Sequence, residues 1–367
     1  MTDIADLPAT SADAAAPRTR VPVAVLGATG SVGQRFVQLL DDHPWFRLHE
    51  VVASERSAGK QYGDAADWRL DTPLPHEAAG LPVKELGAGL ESRLLFSGLD
   101  SSVAGEAEDR YADHGAVVVT NSRNHRMDPD VPLLIPEINA QHLEAIEVQQ
   151  RRRRGHGYIV TNPNCSVMGL AIAIAPIERL YGIETLHVTT MQAISGAGYA
   201  GVASYAILDN VIPYISGEEE KVESEPRKIL GRWEDGRFVD ANFRISAQTN
   251  RVPVIDGHLM TVSLKLRHTE SQRLEHIREA IESFSGEPQR LGLPSAPLKP
   301  LHYLDECDRP QPRLDRDRER GMAVSVGRLR RCPLLDLRMV VLVHNTIRGA
   351  AGAALLNAEL LVAKGML

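Results

Sequence analysis

Cysteine, aromatic residues and long apolar runs are all scarce in this 367-residue chain. The three cysteines, Cys165, Cys307 and Cys332, form no CxxC pair. We therefore expect neither a disulfide framework nor a zinc or other metal site, and a reducing cytoplasmic setting fits. Aromatic residues make up only 5% and the net charge is −7, which argues against nucleic acid as the main partner. No apolar run approaches the roughly 18 residues of a membrane span, so no membrane partner is expected.

The ends and the length of the chain suggest its organisation. Residues 1–20 are rich in Ala, Thr and Asp and lack the apolar segment of a signal peptide, so we expect a flexible leader. The remaining length suits two domains with cores of useful size.

A glycine-rich turn follows the first apolar strand. The strand is predicted at 22–26, the turn GATGSVG occupies 27–33, and a helical pattern continues to residue 42. Strand, glycine turn and helix begin a βαβ unit that can hold a pyrophosphate at the helix N-terminus. The spacing is GxxGxxG rather than GxGxxG, and an ordinary tight turn is the alternative interpretation.

The loop SERSAGK, after the second predicted strand, bears on cofactor choice. Glu55 could hold the ribose hydroxyls of NAD. The other polar side chains of the loop instead suit the 2′-phosphate of NADP, which the sequence favours. These side chains are Ser54, Arg56, Ser57 and Lys60.

Two further apolar strands are predicted at 94–99 and 116–120, with a crossover helix at 102–114 between them. This alternation predicts an α/β fold with a Rossmann-type doubly wound sheet, whose ligands bind at the carboxyl ends of the strands. The segment 121–127 would bring Arg123 and Arg126 to that crevice.

Cys165 lies in the turn TNPNCS, between a short strand at 158–160 and a run of small apolar residues. The pattern places it at the start of a helix. There the helix dipole and the unpaired N–H groups favour a nucleophilic thiolate and can hold an oxyanion. A buried, inert cysteine is the alternative interpretation.

The middle of the chain is rich in strand patterns, which predict an antiparallel sheet with helices on one face, a central α+β domain. The patterns lie at 184–192, 241–254, 259–266 and 339–343. A helix of small residues at 345–363 is predicted to return to the first domain.

Together these motifs resemble the aspartate-semialdehyde dehydrogenase family, in its archaeal/fungal-type branch. The resemblance spans nearly the whole chain after residue 20. It is carried by GATGSVGQRF (27–36), SERSAGK (54–60), NSRNHRMDPDVPLLIPEIN (121–139), TNPNCSV (161–167), MQAISGAGYAG (191–201), ISGEEEKVESE (215–225), RVPVIDGHL (251–259) and NTIRGAAGAALLNAELL (345–361).

The resemblance implies an NADP-binding Rossmann domain at 21–164, a catalytic and dimerisation domain at 165–344 and a C-terminal helix at 345–367 that packs on the first domain. It also implies a homodimer or homotetramer. The implied reaction is NADPH-dependent reduction of L-aspartyl 4-phosphate to L-aspartate 4-semialdehyde with release of phosphate, a step in lysine, threonine and methionine biosynthesis.

The resemblance also implies roles for single residues. Cys165 would be the acylated nucleophile and His258 the acid and base. The substrate would be held by Arg126, Asn164, Gln192, Glu218, Lys221 and Arg251, with Glu219 an alternative to Glu218. NADP would be held by Gly27, Thr29, Gly30, Ser31, Val32, Ser54, Ser57, Lys60, Ser97, Ser195, Gly196 and Asn345.

Two rival functions stay open at this point. Malonyl-CoA reductase, or another acyl reductase on the same scaffold, would share the Cys165 and His258 chemistry. Glu218 argues against it, because a malonyl group has no amine to bind. A non-catalytic NADP-binding protein would keep the glycine turn without needing either Cys165 or His258.

Overall fold

The computed structural model describes residues 16–268 and 273–367. The leader predicted for 1–20 lies almost entirely outside the described residues. The strands, in chain order, are β1 (Val21–Leu26), β2 (Phe46–Ala53), β3 (Val83–Glu85), β4 (Leu94–Ser97), β5 (Val117–Thr120), β6 (Tyr158–Thr161), β7 (Ile183–Gln192), β8 (Arg232–Glu234), β9 (Arg237–Val239), β10 (Arg244–Arg251), β11 (His258–Leu266), β12 (Leu301–Leu304), β13 (Val324–Arg331) and β14 (Leu337–Val343).

The longer helices are α1 (Ser31–Leu40), α2 (Ser101–Asp113), α3 (Ala145–Arg153), α4 (Cys165–Tyr181), α5 (Glu218–Ile229), α6 (Leu274–Glu282) and α7 (Gly352–Ala363). Shorter helical turns are Tyr62–Ala65, His76–Ala79, Pro136–Asn139, Ala140–Glu144, Ile194–Ala197, Ser204–Ile207, Glu287–Leu291, Pro312–Asp315, Arg318–Gly321 and a π-helical turn at Ile347–Ala351. Within the described residues, no helix is long and apolar enough to cross a membrane.

The first sheet has the order β3-β2-β1-β4-β5-β6, and all its pairs are parallel. In the middle of the sheet, Val25 pairs with Val51 on one side and Phe96 on the other. Strands β4, β5 and β6 are fully buried, as expected for parallel strands covered on both faces by helices. This strand order is that of a Rossmann fold, which confirms the predicted first domain fold.

The glycine turn allows helix α1 to begin directly above the end of β1. A β-carbon at Gly33 would lie 2.1 Å from the carbonyl oxygen of Gly27, so no other residue fits at this position. This close approach leaves the start of α1, at Ser31, open to the carboxyl end of the sheet.

The second sheet has the order β10-β7-β11-β14-β13-β12. Its three central pairs are antiparallel, as predicted, but β10 runs parallel to β7 and β12 runs parallel to β13. The prediction of a purely antiparallel sheet was therefore wrong at both edges. Parallel pairs need long crossover connections, and the segment between β7 and β10 contains helix α5, which serves as one.

Helix α4 connects the two sheets. It leaves the end of β6 and buries Met168 and Leu170 against the core of the second sheet, which includes Val188 and Met260. The return of the chain uses α7, whose apolar side chains share a core with the first sheet and with helix α1. Helices α4 and α7 therefore pack in the cores of the second and the first sheet, respectively.

Candidate active site

A cavity of about 360 Å³ lies where the carboxyl ends of the two sheets meet. It opens into a larger cleft of about 720 Å³ above the first sheet. The predicted site residues that line the smaller cavity are Ser31, Val32, Arg126, Asn164, Cys165, Gln192, Ser195, Gly196, Glu218, Arg251 and Asn345.

The strand pairing explains why side chains far apart in sequence converge here. Gln192 and Arg251 end the parallel strands β7 and β10 and are register partners. Strand β11 is antiparallel to β7, so His258, its first residue, lies at the same edge. The parallel pairing that the sequence did not reveal therefore builds part of the site.

Cys165 is the first residue of helix α4. The side chain of Asn164 caps the helix, with Oδ1 accepting hydrogen bonds from the Ser166 and Val167 amides at 2.9 and 3.3 Å. The thiol sulfur of Cys165 lies 3.1 Å from Nε2 of His258. A cysteine sulfur this close to an imidazole is a candidate nucleophile.

The protonation state of His258 follows from its second nitrogen. Nδ1 accepts a hydrogen bond from the Ala193 amide at 3.0 Å and so carries no proton. By this hydrogen-bond assignment, the neutral ring carries its proton on Nε2, facing the sulfur. Burial, reinforced by the positive charge of Arg251, lowers the pKa of His258 to about 3, so the ring is neutral at pH 7.

Burial also acts on the nucleophile. It raises the pKa of the Cys165 thiol to about 12, and the carboxylate of Glu218 acts in the same direction. The nearby cations Arg126, Arg251 and Lys221 act in the opposite direction. In the ligand-free site the balance favours the thiol, whereas the position at the helix start alone had suggested a thiolate.

Glu218 and Arg251 place opposite charges around the cysteine, and the neutral amide of Gln192 lies beside them. Glu218 is buried and accepts hydrogen bonds from Lys221 Nζ at 2.6 Å and from Gln192 Nε2 at 3.2 Å. Arg251 is buried and donates to the Ala193 carbonyl at 2.7 Å. Glu218 and Arg251 thus present a carboxylate and a guanidinium to the same cavity, which Arg126 also lines.

Arg126 and Asn164 share a partner that the sequence analysis missed. Nη1 of Arg126 donates to Oε1 of Glu225 at 2.8 Å, and the Asn164 amide donates to Oε2 at 2.7 Å. The Nδ2 atom of Asn164 contacts both oxygens of Glu218, at 3.1 and 2.9 Å. The donors of Asn164 are therefore engaged by two carboxylates, which leaves Arg126 and Lys221 as the better candidates for holding a phosphate.

Most of the predicted cofactor residues line the larger cleft. They are Gly27, Thr29, Gly30, Ser31, Val32, Ser54 and Gly196. Ser195 and Asn345 lie deeper, in the smaller cavity, and hydrogen bond to each other at 2.8 Å.

Three predicted cofactor residues do not line the cleft. Ser97 is buried, and its hydroxyl donates to Glu108 at 2.6 Å, so it points into the domain. Ser57 and Lys60 lie in the turn that follows β2, where their amides bond to the carbonyls of Ser54 and Ser57. The structure does not bring the side chains of these three residues to the cavity lining.

Tyr199 and Gly349 also belong to the site and were not singled out from the sequence. The Tyr199 hydroxyl donates to Oε1 of Gln34, on helix α1, at 2.7 Å. A β-carbon at Gly349 would lie 2.8 Å from the β-carbon of Cys165. Tyr199 thus connects the loop after β7 to the nucleotide-binding turn, and Gly349 packs directly on the cysteine.

The sequence held only weak signals for these residues. Glu225 lies two helical turns after Glu218, and this seven-residue spacing places both on one face of α5. Tyr199 lies between Gly198 and Gly201 in the glycine-rich segment 193–201, the second glycine turn of the chain. Neither signal indicates which distant residue is contacted.

Comparison with known proteins agrees with this geometry. Residues 22–146 match the family model described as "Semialdehyde dehydrogenase, NAD binding domain", and residues 174–348 match "Semialdehyde dehydrogenase, dimerisation domain". The chain is 50% identical to aspartate-semialdehyde dehydrogenase of Methanothermobacter thermautotrophicus, over 93% of this chain and 99% of the relative. It is 47% identical to the Candida albicans protein of the same name, over 94% and 98%.

A solved structure gives the same result. The crystal structure of Candida albicans aspartate-semialdehyde dehydrogenase with NADP superposes with a TM-score of 0.88, at 45% identity, over 95% of this chain and 100% of that one. An archaeal and a fungal relative therefore match from end to end, in sequence and, for the fungal protein, in structure. The chain belongs to the aspartate-semialdehyde dehydrogenase family.

Proposed function

We propose that the protein reduces L-aspartyl 4-phosphate to L-aspartate 4-semialdehyde with NADPH, releasing phosphate, through a thioester on Cys165. The observation that carries this proposal is the 3.1 Å contact between the Cys165 sulfur and His258 Nε2 in a cavity also lined by Arg251, Glu218 and Arg126. The substrate carries a carboxylate, an ammonium and a phosphate, and these side chains match its charges one by one.

The amino-acid end of the substrate is assigned to Arg251, Gln192 and Glu218. Arg251 binds the carboxylate, Glu218 binds the ammonium and Gln192 orients it. Glu219 is a poorer candidate for the ammonium, because its Oε1 accepts the Thr249 amide at 3.0 Å outside the cavity. This contact supports Glu218 over its neighbour.

The phosphate is assigned to Arg126 and Lys221. Both line the larger cleft beside Asn164, close to the start of α4. Because Asn164 already contacts Glu218 and Glu225, its role is to cap the helix and to hold the cysteine in place.

The chemical steps follow from these positions. Binding of the substrate ammonium neutralises Glu218, which removes one cause of the raised thiol pKa. The Cys165 sulfur attacks the acyl carbon, the bond from that carbon to the phosphate oxygen breaks, and phosphate leaves with the electron pair of that bond and with the thiol proton. NADPH, when bound, supplies the hydride that reduces the thioester carbonyl.

His258 then acts on the carbonyl oxygen. Its Nε2–H donates a hydrogen bond that stabilises the developing oxyanion. When the tetrahedral centre collapses, the C–S bond breaks, the aldehyde is released, and the Cys165 thiolate takes up a proton from solvent. Arg251 holds the substrate throughout, and the surrounding protein excludes water that would hydrolyse the acyl group.

The chemistry of the cleft above the first sheet suits NADP. The start of α1 and the hydroxyls of Thr29, Ser31 and Ser54 face it, and Arg123 adds a positive charge. Helix N-termini and hydroxyl donors suit phosphates. We assign cofactor binding to residues 21–164, catalysis and dimerisation to 165–344, and packing on the first domain to 345–367, as the sequence predicted.

We also propose a homo-oligomer. The segment between β7 and α5 exposes four large apolar side chains, which is more than a monomer's surface usually gathers in one short stretch. They are Tyr205, Leu208, Val211 and Tyr214. A dimer or a tetramer would cover them. The three free cysteines suit a reducing compartment, and we propose a cytoplasmic location.

The test is a substrate comparison. NADPH formation is measured with semialdehyde and phosphate, and NADPH consumption with malonyl-CoA. We expect turnover only in the first assay. Activity confined to the CoA ester would reject the proposal in favour of the other acyl reductase. Mass spectrometry after brief exposure to semialdehyde and NADP, without phosphate, should find an acyl adduct on the peptide that carries Cys165.

A further inference from the structure

Helix α5 presents a row of charged side chains to the active site. Glu218, Lys221, Glu225 and Lys228 recur at intervals of three, four and three residues, and this spacing aligns them on one face. Glu218 and Lys221 are already assigned to the substrate. Glu225 and Lys228 are buried, and neither lines the two cavities described above.

Glu225 connects the loop after β5, which carries Arg126, to the segment after β6, which leads into Cys165. Its Oε1 accepts from Arg126, in the loop after β5, at 2.8 Å, and its Oε2 accepts from the Asn164 amide, after β6, at 2.7 Å. Nη2 of Arg126 also donates to the Asn121 carbonyl at 2.7 Å. Two nitrogens of the Arg126 guanidinium, Nη1 and Nη2, are therefore already held by protein groups.

Lys228 secures the same loop one turn further along the helix. Its ammonium donates to the carbonyls of Arg126, Asp128 and Val131 at 2.8, 2.8 and 2.9 Å. The centroid of the Phe238 ring, on the β8–β9 ribbon, lies 4.3 Å from the same nitrogen. The loop thus folds around a buried cation whose position is fixed by α5.

We propose that Glu225 is the positioning residue for phosphate, setting the Arg126 guanidinium at a fixed distance from Cys165. The inference rests on the proposed function, in which Arg126 binds the phosphate. Glu225 touches neither substrate nor cofactor. It acts through Arg126 and through the Asn164 peptide, which immediately precedes the nucleophile. Lys228 supports it by holding the main chain of the loop.

A carboxylate is needed because two donors must be held at once. Replacing Glu225 by Gln keeps the shape but removes the charge and turns one acceptor into a donor, which then faces either Arg126 or the Asn164 amide. Arg126 loses its ion-pair partner and is free to move away from the phosphate position. Hydrogen bonds to charged groups are strong enough for their loss to weaken phosphate binding about 10-fold or more.

The main experiment measures oxidation of the semialdehyde, with inorganic phosphate as a substrate. For Glu225→Gln, the KM for phosphate should rise about 10-fold or more, while the KM for semialdehyde changes less than about 2-fold. Glu223→Gln is the matched control, because Glu223 lies on the same helix and holds the Ala247 amide outside the site. An unchanged KM for phosphate in the Glu225→Gln variant, or an equal rise in the control, overturns the proposal.

A double variant separates positioning from general damage. If Glu225 acts through Arg126, adding Glu225→Gln to Arg126→Lys should raise the KM for phosphate much less than it does in the wild-type background. Fully additive effects contradict this. Should Glu225→Gln fail to fold, Lys228→Arg, which keeps the positive charge, is used in the same cycle and should again affect the KM for phosphate selectively.

A binding measurement distinguishes failure of this inference from failure of the proposed function. Phosphate should protect Cys165 from iodoacetamide in the wild-type protein, as followed by mass spectrometry, and should protect the Glu225→Gln variant only at much higher concentration. This readout needs no turnover. Protection lost in the variant supports the positioning role even if the substrate is another acyl phosphate. Equal protection in both proteins rejects the role.

Discussion

The Nδ1 atom of His258 accepts a hydrogen bond from the Ala193 amide at 3.0 Å, and this contact sets which nitrogen holds the proton. Because Nε2–H faces Cys165, the resting site contains a thiol beside a neutral imidazole, and not a thiolate–imidazolium pair. The thiolate therefore depends on substrate binding. The sulfur therefore stays in its less reactive thiol form until an acyl phosphate is bound.

Alkylation of the free protein tests this resting state. With a thiol pKa of about 12, the rate of Cys165 modification by iodoacetamide should climb continuously from pH 7 to pH 10 without reaching a plateau. Peptide mass spectrometry measures the rate at each pH. A plateau below pH 7 would reveal a thiolate–imidazolium pair and contradict the tautomer assigned to His258.

Glu218→Gln should have opposite effects on reactivity and on turnover. Removing the carboxylate lowers the pKa of the thiol, so alkylation at pH 8 should become several-fold faster. Loss of the partner for the ammonium should raise the KM for semialdehyde. Glu219→Gln is the control and should change neither value, because Glu219 contacts the Thr249 amide. Equal effects of the two substitutions would show that the ammonium is assigned to the wrong residue.

Tyr199→Phe tests the hydrogen bond that connects the second glycine turn to helix α1, which follows the glycine turn at 27–33. The lost hydrogen bond to Gln34, worth about 1 kcal/mol, should raise the KM for NADP about 5-fold. Tyr303→Phe is the matched control, since Tyr303 lies on the edge strand β12 and lines neither cavity. Steady-state kinetics with varied NADP measures both. No difference between the two variants would show that the contact plays no part in cofactor binding.

Gly349→Ala should nearly abolish activity. The added methyl group would lie 2.8 Å from the β-carbon of Cys165 and 3.1 Å from its α-carbon, so the start of α4 must shift. Misplacement of a nucleophile by about 1 Å can cost roughly 100-fold in rate. Gly89→Ala, where nothing lies within 4 Å, serves as the control and should keep full turnover. A normal kcat for Gly349→Ala would mean that the π-helical turn Ile347–Ala351 can shift to make room for the methyl group without moving Cys165.

Acid should destabilise the protein through His142. Burial lowers its pKa from 6.5 to about 4, so the unfolded chain binds a proton that the folded chain excludes. Stability is therefore lost as the pH falls below 6.5. Between pH 7.5 and 5.5 this one group should remove about 1.4 kcal/mol from the free energy of unfolding.

Urea unfolding of His142→Gln at the two pH values measures that contribution. The variant should show a pH dependence smaller by about the same amount, whatever its absolute stability. His156→Gln, the same substitution at an exposed histidine, is the matched control. An unchanged dependence in the His142 variant would contradict the assignment.

Local patterns were enough to predict much of the fold. The first sheet, the glycine turn and the helix that starts at Cys165 each follow from a continuous stretch of sequence with its own apolar period and turn residues. The predicted and observed boundaries of β1 and α2 differ by no more than one residue.

Contacts between distant segments could not be predicted in this way. The parallel pairing of β10 with β7 depends on a crossover, and it decides that Gln192 and Arg251 lie side by side. Burial of Ser97 against Glu108 likewise depends on how α2 packs on the sheet. The family resemblance implied candidate roles. The hydrogen-bond partners of Asn164, Glu225 and Tyr199 are known only from the three-dimensional structure.

The position of Gly349 has a consequence for the synthesis of the protein. Gly349, which packs on Cys165, follows both Cys165 and His258 in the chain, as does Asn345, which bonds to Ser195 and to the Gly257 amide. On the ribosome, the cysteine and its histidine are therefore made long before the segment that closes over them. A chain that stops before residue 345 lacks these contacts and cannot form the complete site.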